Sequence, residues 1–276
     1  MILIADSGAT KTDWRFIDED GSIEQYKTIG FNPYYQEAKP FIDSIKESEL
    51  SRLKKLDRIY FYGAGCSSEQ TKKKVEDALK SVFSVSKIEA NHDLLASARA
   101  LCGKECGIVC ILGTGSNSAL YDGEQLVDNV ESLGFILADE GSGAHFGKKL
   151  LSDFLRKNMP EEIRILFEKS FSVDKDSVLK EINGSNGGTY LASFSKFIFR
   201  NISEPYFYKL VYNCFHEFFD TNVMVYDNVN NLKVHFSGSI AYNFNSILRT
   251  VSHDFGVTLG NILESPISGL TLYHQS

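Results

Sequence analysis

Residues 1–21, MILIADSGATKTDWRFIDEDG, and residues 107–125, GIVCILGTGSNSALYDGEQ, repeat one pattern. An apolar run of strand length (2–5; 108–112) leads into a turn of Gly, Ser and Thr (6–12; 113–116). A second strand follows (14–17; 118–121), and then Asp-Gly, a pair that closes hairpins because glycine accepts positive φ. Two such units predict a duplicated α/β lobe, with residues 1–106 forming an N-terminal lobe and 107–276 a C-terminal one.

The chain between and after the repeats suits that division. Residues 36–55 read as an amphipathic helix, 58–62 as a strand ending on Gly63-Ala64-Gly65, and 69–82 as a helix with Val75, Ala78, Leu79 and Val82 on one face. A short strand, 87–90, precedes a helix over 94–101. Strands alternating with helices argue for an α/β architecture. Beyond the second repeat the pattern predicts a helix over 144–157 and a helical insertion over 160–222, broken near 183–189. A strand, 233–236, stops on Ser237-Gly238-Ser239, a helix runs to about residue 253, and a loop and final helix close the chain.

With 276 residues, 43% hydrophobic and 24% charged, the chain can bury two cores without disulfides or metal. Its net charge of −7 argues against a nucleic-acid surface, which needs a basic face to neutralise phosphates. No apolar run approaches membrane-spanning length, and MILIAD lacks the basic leader and the length of a signal peptide. A cytoplasmic protein with no membrane partner is therefore expected. Of five cysteines, Cys102, Cys106 and Cys110 share a spacing of four, which invites a metal reading. Gly107 and the apolar run after it start a strand between them, so these, like Cys66 and Cys214, are expected to be buried reduced thiols.

Four Gly-rich turns stand at strand ends, at 6–12, 113–117, 139–143 and 237–239. Glycine lets successive backbone amides approach a phosphate, and Ser and Thr hydroxyls add donors. Neither GxxxxGK[ST] nor a strand-borne GxGxxG is present, which disfavours Walker-type and dinucleotide folds. Asp6, at the end of the first strand, suits Mg²⁺ or an Asx turn. Lys11 reads as a phosphate contact or a solvated lysine. Asp93, between a strand and a helix, suits a general base or a helix N-cap, and His92 beside it is given no role. In DEGSG, residues 139–143, the helix N-terminus favours an anion, whereas Asp139 and Glu140 suit Mg²⁺, sugar hydroxyls or capping. Asn32, in the turn before Pro33, can read a sugar hydroxyl or brace its own loop.

DSGATKT, GTGSN, DEGSG and FSGSIA, in this order and with Asp93 ahead of GTGSN, resemble the BadF/BadG/BcrA/BcrD-type ATPase group, which includes N-acetylglucosamine kinases. The resemblance spans the whole chain. It implies two ribonuclease-H-like lobes of the actin/hexokinase/Hsp70 superfamily with ATP between them, and transfer of the γ-phosphate to N-acetylglucosamine or a related amino sugar. It implies Ser7, Gly8, Thr10, Lys11 and Thr12 as the first phosphate loop and Gly113, Thr114, Gly115 and Ser116 as the second. Gly238 and Ser239 would lie near the adenosine, with Asp6 on Mg²⁺ and Asp93 as the base. Asn32, Asn117 and Asp139 match sugar-contacting positions, and Gly65 joins them as a substrate contact. Related kinases are often homodimers. Many relatives carry Gly-Trp-Gly before DEGS, where this chain has Ser132-Leu133-Gly134, so recognition of an acetamido group is left open. Two other readings stand beside the kinase. One is an ATPase that activates a radical dehydratase, for which Cys66 is the one candidate iron–sulfur ligand. The other is a non-catalytic sugar or nucleotide sensor.

Overall fold

The protein is described by a computed structural model covering residues 1–8, 10–53 and 56–275. Its contacts divide the chain into two units: residues 1–104 with 123–125 and 266–276, and residues 105–122 with 126–265.

The first unit holds a sheet of β1 (Ile2–Ser7), β2 (Lys11–Ile17), β3 (Ile23–Ile29), β4 (Leu56–Gly63) and β5 (Val85–His92), in the order β3-β2-β1-β4-β5. The first three strands are antiparallel, and β4 and β5 run parallel to β1. Helices α1 (Ala38–Glu47), α2 (Glu69–Lys80) and α3 (Asp93–Cys102) fill the connections. Alternation along β1 sends its residues into two cores. Leu3 and Ala5 pack with Trp14, Phe41 and Phe61. Ile4 packs with Tyr60, Tyr62, Ile267 and Leu270. Trp14 is fully buried, and its indole N–H donates to the Thr28 hydroxyl at 2.9 Å.

The C-terminal helix, Ile267–Gln275, belongs to this first unit, although the sequence reading set 107–276 apart as one lobe. Ile267 and Leu270 complete the second core, and Gly269 lies against α3 so closely that a Cβ there would come within 2.6 Å of the Ala100 carbonyl. Arg99 donates to the Tyr62 hydroxyl at 2.7 Å, whose own proton then reaches His274 Nε2 at 2.8 Å. The His274 ring stacks on Tyr60 at 3.8 Å between centroids.

The second unit repeats the topology. Its strands are β6 (Gly107–Leu112), β7 (Ser116–Tyr121), β8 (Leu126–Asn129), β9 (Lys233–Ser237) and β10 (Thr258–Leu263), in the order β10-β9-β6-β7-β8. Again the three consecutive strands are antiparallel, and the later two run parallel to the first. Three strands escaped the sequence reading: β3, β8 and β10. In β10 the interruption is Gly260, where the His235 ring lies within 2.5 Å of where a Cβ would stand; the next residue, Asn261, donates its N–H to His235 Nδ1 at 3.1 Å.

Nine helices are described in this unit: α4 (Gly134–Leu137), α5 (Gly143–Leu155), α6 (Glu161–Ser170), α7 (Lys175–Ile182), α8 (Gly187–Ser193), α9 (Ser195–Arg200), α10 (Pro205–Phe218), α11 (Ser239–Asn243) and α12 (Asn245–Asp254). The aromatic-rich insertion is core. Phe194, Phe197, Phe207, Phe215, Phe218 and Phe219 are buried in one cluster, with Phe197 meeting Phe167 and Phe207 edge-to-face at 5.7 and 5.5 Å. Phe199 is an exception at 44% exposure.

The helix expected over 36–55 stops at Glu47, because Ser48 turns the chain into a single 3₁₀ turn and caps it through the Leu50 N–H. Lys54 and Lys55 lie outside the described residues. Four cysteines are buried, but Cys106, between α3 and β6, is exposed, contrary to expectation. No described helix is long and apolar enough to cross a membrane.

Burial pushes His145 and His274 down to about 4 and lowers His235 as well. The unfolded chain takes up protons at these histidines near pH 6.5, where the folded chain refuses them. Stability should thus be complete above about pH 6.5 and fall as pH drops toward 4. His145, 4% exposed, contributes up to ~1.4 kcal/mol per pH unit, and the partly solvated His274 less. Urea unfolding at pH 7.5 and 5 should show the lower midpoint at pH 5; equal midpoints would contradict the assignment.

Candidate functional site

In the first unit the β1–β2 turn is braced from below. The Phe31 N–H donates to Ser7 Oγ (3.1 Å), Ser7 and Thr12 share a hydroxyl–hydroxyl bond (2.8 Å), and Thr12 donates to the Ile29 carbonyl (3.0 Å). Both hydroxyl residues are buried, at 1% and 0% exposure. Their side chains therefore hold the loop that leads to Asn32, instead of standing over the turn as phosphate donors. Gly8 and Thr10 are exposed at its tip, and Ala9 lies outside the described residues. The Lys11 ammonium pairs with Asp13 at 2.9 Å. Asp6 is half-buried on β1, in register with Asp13 on β2 and Tyr62 on β4.

Asn32, Gly65 and Asp93 occupy loops and ends around β4 and β5. Asn32 Oδ1 accepts the Tyr34 N–H at 3.0 Å and sits where a Cβ on Gly65 would be. Gly65 has φ +81°, so only glycine suits both its conformation and this approach. Gly63 at the end of β4 is in register with His92 at the end of β5. His92, not Asp93, caps α3: its Nδ1 accepts the Leu94 N–H at 3.1 Å. Asp93 is the first helical residue, where the helix dipole favours a carboxylate.

Asp93 Oδ1 is buried with no hydrogen-bond donor. His92 Nδ1 stands 2.9 Å away, but its lone pair is already engaged with Leu94. Only a proton on His92 would turn that contact into a hydrogen bond. Burial disfavours such a proton, yet the adjoining Asp93 outweighs it, and His92 titrates above its ordinary value. A carboxylate oxygen left without a donor in a folded protein is costly, and it marks a place where a ligand hydroxyl fits.

In the second unit, two turns are stitched through their backbones. The Gly143 and Ala144 N–H groups, at the start of α5, donate to the Gly113 and Thr114 carbonyls of the β6–β7 turn at 2.9 and 3.0 Å. The Gly141 N–H donates to His145 Nδ1, and the Ser142 N–H to the Asp139 carbonyl. The amides expected to make this helix N-terminus an anion site are thus already used. Asp139 takes φ +66°, unusual outside glycine, and its Oδ1 accepts the Ser116 N–H at 3.0 Å. Burial raises its carboxyl above the ordinary value, against the Ser116 bond and with help from Glu140. Gly115 is required below it, since a Cβ there would come within 2.9 Å of the carboxylate. Asn117 follows Ser116 on β7, half-buried, with its Oδ1 accepting the Ser118 N–H at 2.9 Å. Leu133, in place of the relatives' Trp, is 54% exposed just before α4.

A cleft of about 460 Å³ opens beside these turns, lined by Gly113 and Thr114, by Ser195, Lys196, Phe199 and Arg200 of α9, and by Ser239, Asn243 and Glu264. Gly238, ahead of α11, has φ +110°, and a Cβ there would overlap the Leu112 carbonyl. The sequence reading missed Lys196, Phe199 and Arg200. Their signal was a basic pair four apart in SKFIFR, which helical period places with Phe199 on one face of an otherwise buried helix. Lys196 and Arg200 make no ion pair among the described residues.

No protein-family profile and no curated protein matches the sequence. Solved structures do. A candidate N-acetylglucosamine kinase from Porphyromonas gingivalis is 38% identical, with 99% of this chain and 98% of that one covered and a TM-score of 0.92. This chain belongs to the family of that protein. A second candidate N-acetylglucosamine kinase, from Chromobacterium violaceum, shares 15% identity and a TM-score of 0.76 over 99% and 98% of the two chains. A ROK-family glucokinase from Streptomyces griseus, solved with glucose and AMPPNP, shares 13% identity and a TM-score of 0.60 over the same shares. These likenesses establish the fold of actin-like ATPases and hexokinases, two ribonuclease-H-like units, as the motifs implied.

The turn packing makes a prediction independent of any ligand. Gly238→Ala places a methyl against backbone at positive φ and should cost at least ~2 kcal/mol in urea unfolding. Gly21→Ala, at φ +83° with nothing within 4 Å, should cost about 1 kcal/mol. Equal effects would contradict the close approach.

Proposed function

We propose that this protein is an ATP-dependent sugar kinase of the BadF/BadG/BcrA/BcrD type, phosphorylating N-acetylglucosamine or a related amino sugar. The observation that carries the reading is Asp93, a carboxylate at the start of α3 with one buried oxygen lacking a donor. The family of candidate N-acetylglucosamine kinases supports it, as does the shared fold of a glucokinase that binds glucose and AMPPNP.

The cleft of the second unit takes ATP. Its volume suits a nucleotide, Thr114 lines it together with Lys196 and Arg200, and the Thr114 and Gly115 amides, which have no partner among the described residues, suit an anion. Gly238 lets the Leu112 backbone approach ahead of α11, and Ser239 lines the cleft. Gly8 and Thr10 contribute the β1–β2 turn, braced by Ser7 and Thr12, while Lys11 serves through its pairing with Asp13. The strand-end carboxylate of Asp6 is an oxygen ligand that suits Mg²⁺, which when bound neutralises phosphate charge. Asn32, held by Gly65, and Asn117 and Asp139 bind sugar hydroxyls. Asp93 Oδ1 accepts a hydrogen bond from the attacking hydroxyl and takes its proton as the new P–O bond forms and ADP leaves.

The dehydratase-activator reading gains nothing from the structure. Cys66 is fully buried and its thiol is pushed up to about 12 by burial, the opposite of what metal ligation needs.

Two variants test the roles separately. Asp93→Asn should lower kcat about 10²–10⁴-fold while leaving nucleotide affinity unchanged. Lys196→Ala should weaken ATP about tenfold and adenosine hardly at all. An Asp93→Asn enzyme with full turnover would remove the proposed base.

A further inference from the structure

His145 lies at the third position of α5, 4% exposed, and nothing in the proposed reaction uses it. Its Nδ1 accepts the Gly141 N–H at 3.1 Å, so that nitrogen carries no proton. Its Nε2 stands 3.3 Å from Glu217 Oε2 on α10, and Glu217 Oε1 takes the Lys149 ammonium at 2.8 Å. The ring is therefore neutral with its proton on Nε2, pointed at Glu217. Burial opposes a second proton, and Lys148 and Lys149 oppose it too, against the attraction of Glu217. Gly141 lies close against α10, where a Cβ on it would meet Phe218 at 2.8 Å. Two residues earlier, Asp139 holds a backbone conformation that L-residues rarely adopt, with its carboxylate on the Ser116 N–H.

We infer that His145 is a positioning residue of this site: its unprotonated Nδ1, oriented by Glu217, fixes the Gly141 amide and through it the strained turn that aims Asp139. The inference rests on the kinase reading only for its effect on turnover; the geometry can be tested without it. Asparagine places an oxygen where Nδ1 stands and keeps the acceptor, whereas glutamine keeps a donor toward Glu217 and loses the acceptor.

The test measures hydrogen exchange of the Gly141 amide together with steady-state kinetics on the full chain. His145→Gln should speed that exchange at least about tenfold and lower kcat/KM for the sugar about tenfold, with nucleotide affinity unchanged. His145→Asn should keep both within about threefold of the parent. Glu217→Gln, at a partly exposed position, still presents an oxygen that accepts from Nε2–H and leaves Nδ1 unprotonated, so it should keep both readouts within about threefold of the parent. Equal behaviour of the Asn and Gln variants, or losses that merely follow Tm, would overturn the role. Should the parent turn over no sugar, the kinase reading fails, while the exchange pattern alone still decides the positioning role.

Discussion

Two backbone hydrogen bonds, from Gly143 N–H to Gly113 C=O and from Ala144 N–H to Thr114 C=O, constrain the whole second unit. They dock the start of α5 directly onto the β6–β7 turn, where a Cβ on Gly143 would come within 3.3 Å of the Gly113 carbonyl and 2.9 Å of Ser195 Oγ. They also spend the helix amides that would otherwise attract an anion. What is left for a ligand is the outer rim: the Thr114 and Gly115 amides, the cations of α9, which are unpaired among the described residues, and a carboxylate held over Gly115 by a strained backbone. Gly115, Gly141 and Gly143 therefore serve close packing around these turns.

The first unit reaches a comparable arrangement by a different route. Its turn rests on a relay of hydroxyls from Phe31 through Ser7 and Thr12 to Ile29, so the loop that carries Asn32 and the turn that carries Gly8 and Thr10 are one piece. Gly65 lets Asn32 come close, and the β5–α3 junction presents Asp93 with His92 occupied as the cap.

Much of this was legible in the sequence. The repeated strand–turn–strand–Asp-Gly signal foretold two sheets of one topology, because apolar runs and glycine turns are local properties that packing seldom overrides. The fold and the turn residues follow from it. The C-terminal helix was misplaced because which sheet a terminal amphipathic segment covers depends on contacts such as Gly269 on Ala100, which have no local signature. Strand β10 was missed because Gly260 breaks its apolar pattern to admit the His235 ring. Ser7 and Thr12 looked like phosphate donors because sequence shows a hydroxyl but not which partner it finds. Lys196 and Arg200 were hidden in an aromatic helix whose buried face dominated the reading.

A phosphoryl transfer that requires a sugar is tested most directly by ADP release from MgATP with N-acetylglucosamine, glucosamine, N-acetylmannosamine, glucose or buffer alone. Release that depends on an amino sugar, with one sugar phosphate formed per ADP, is the predicted result. ATP binding without sugar-dependent release from any member of the panel would contradict it.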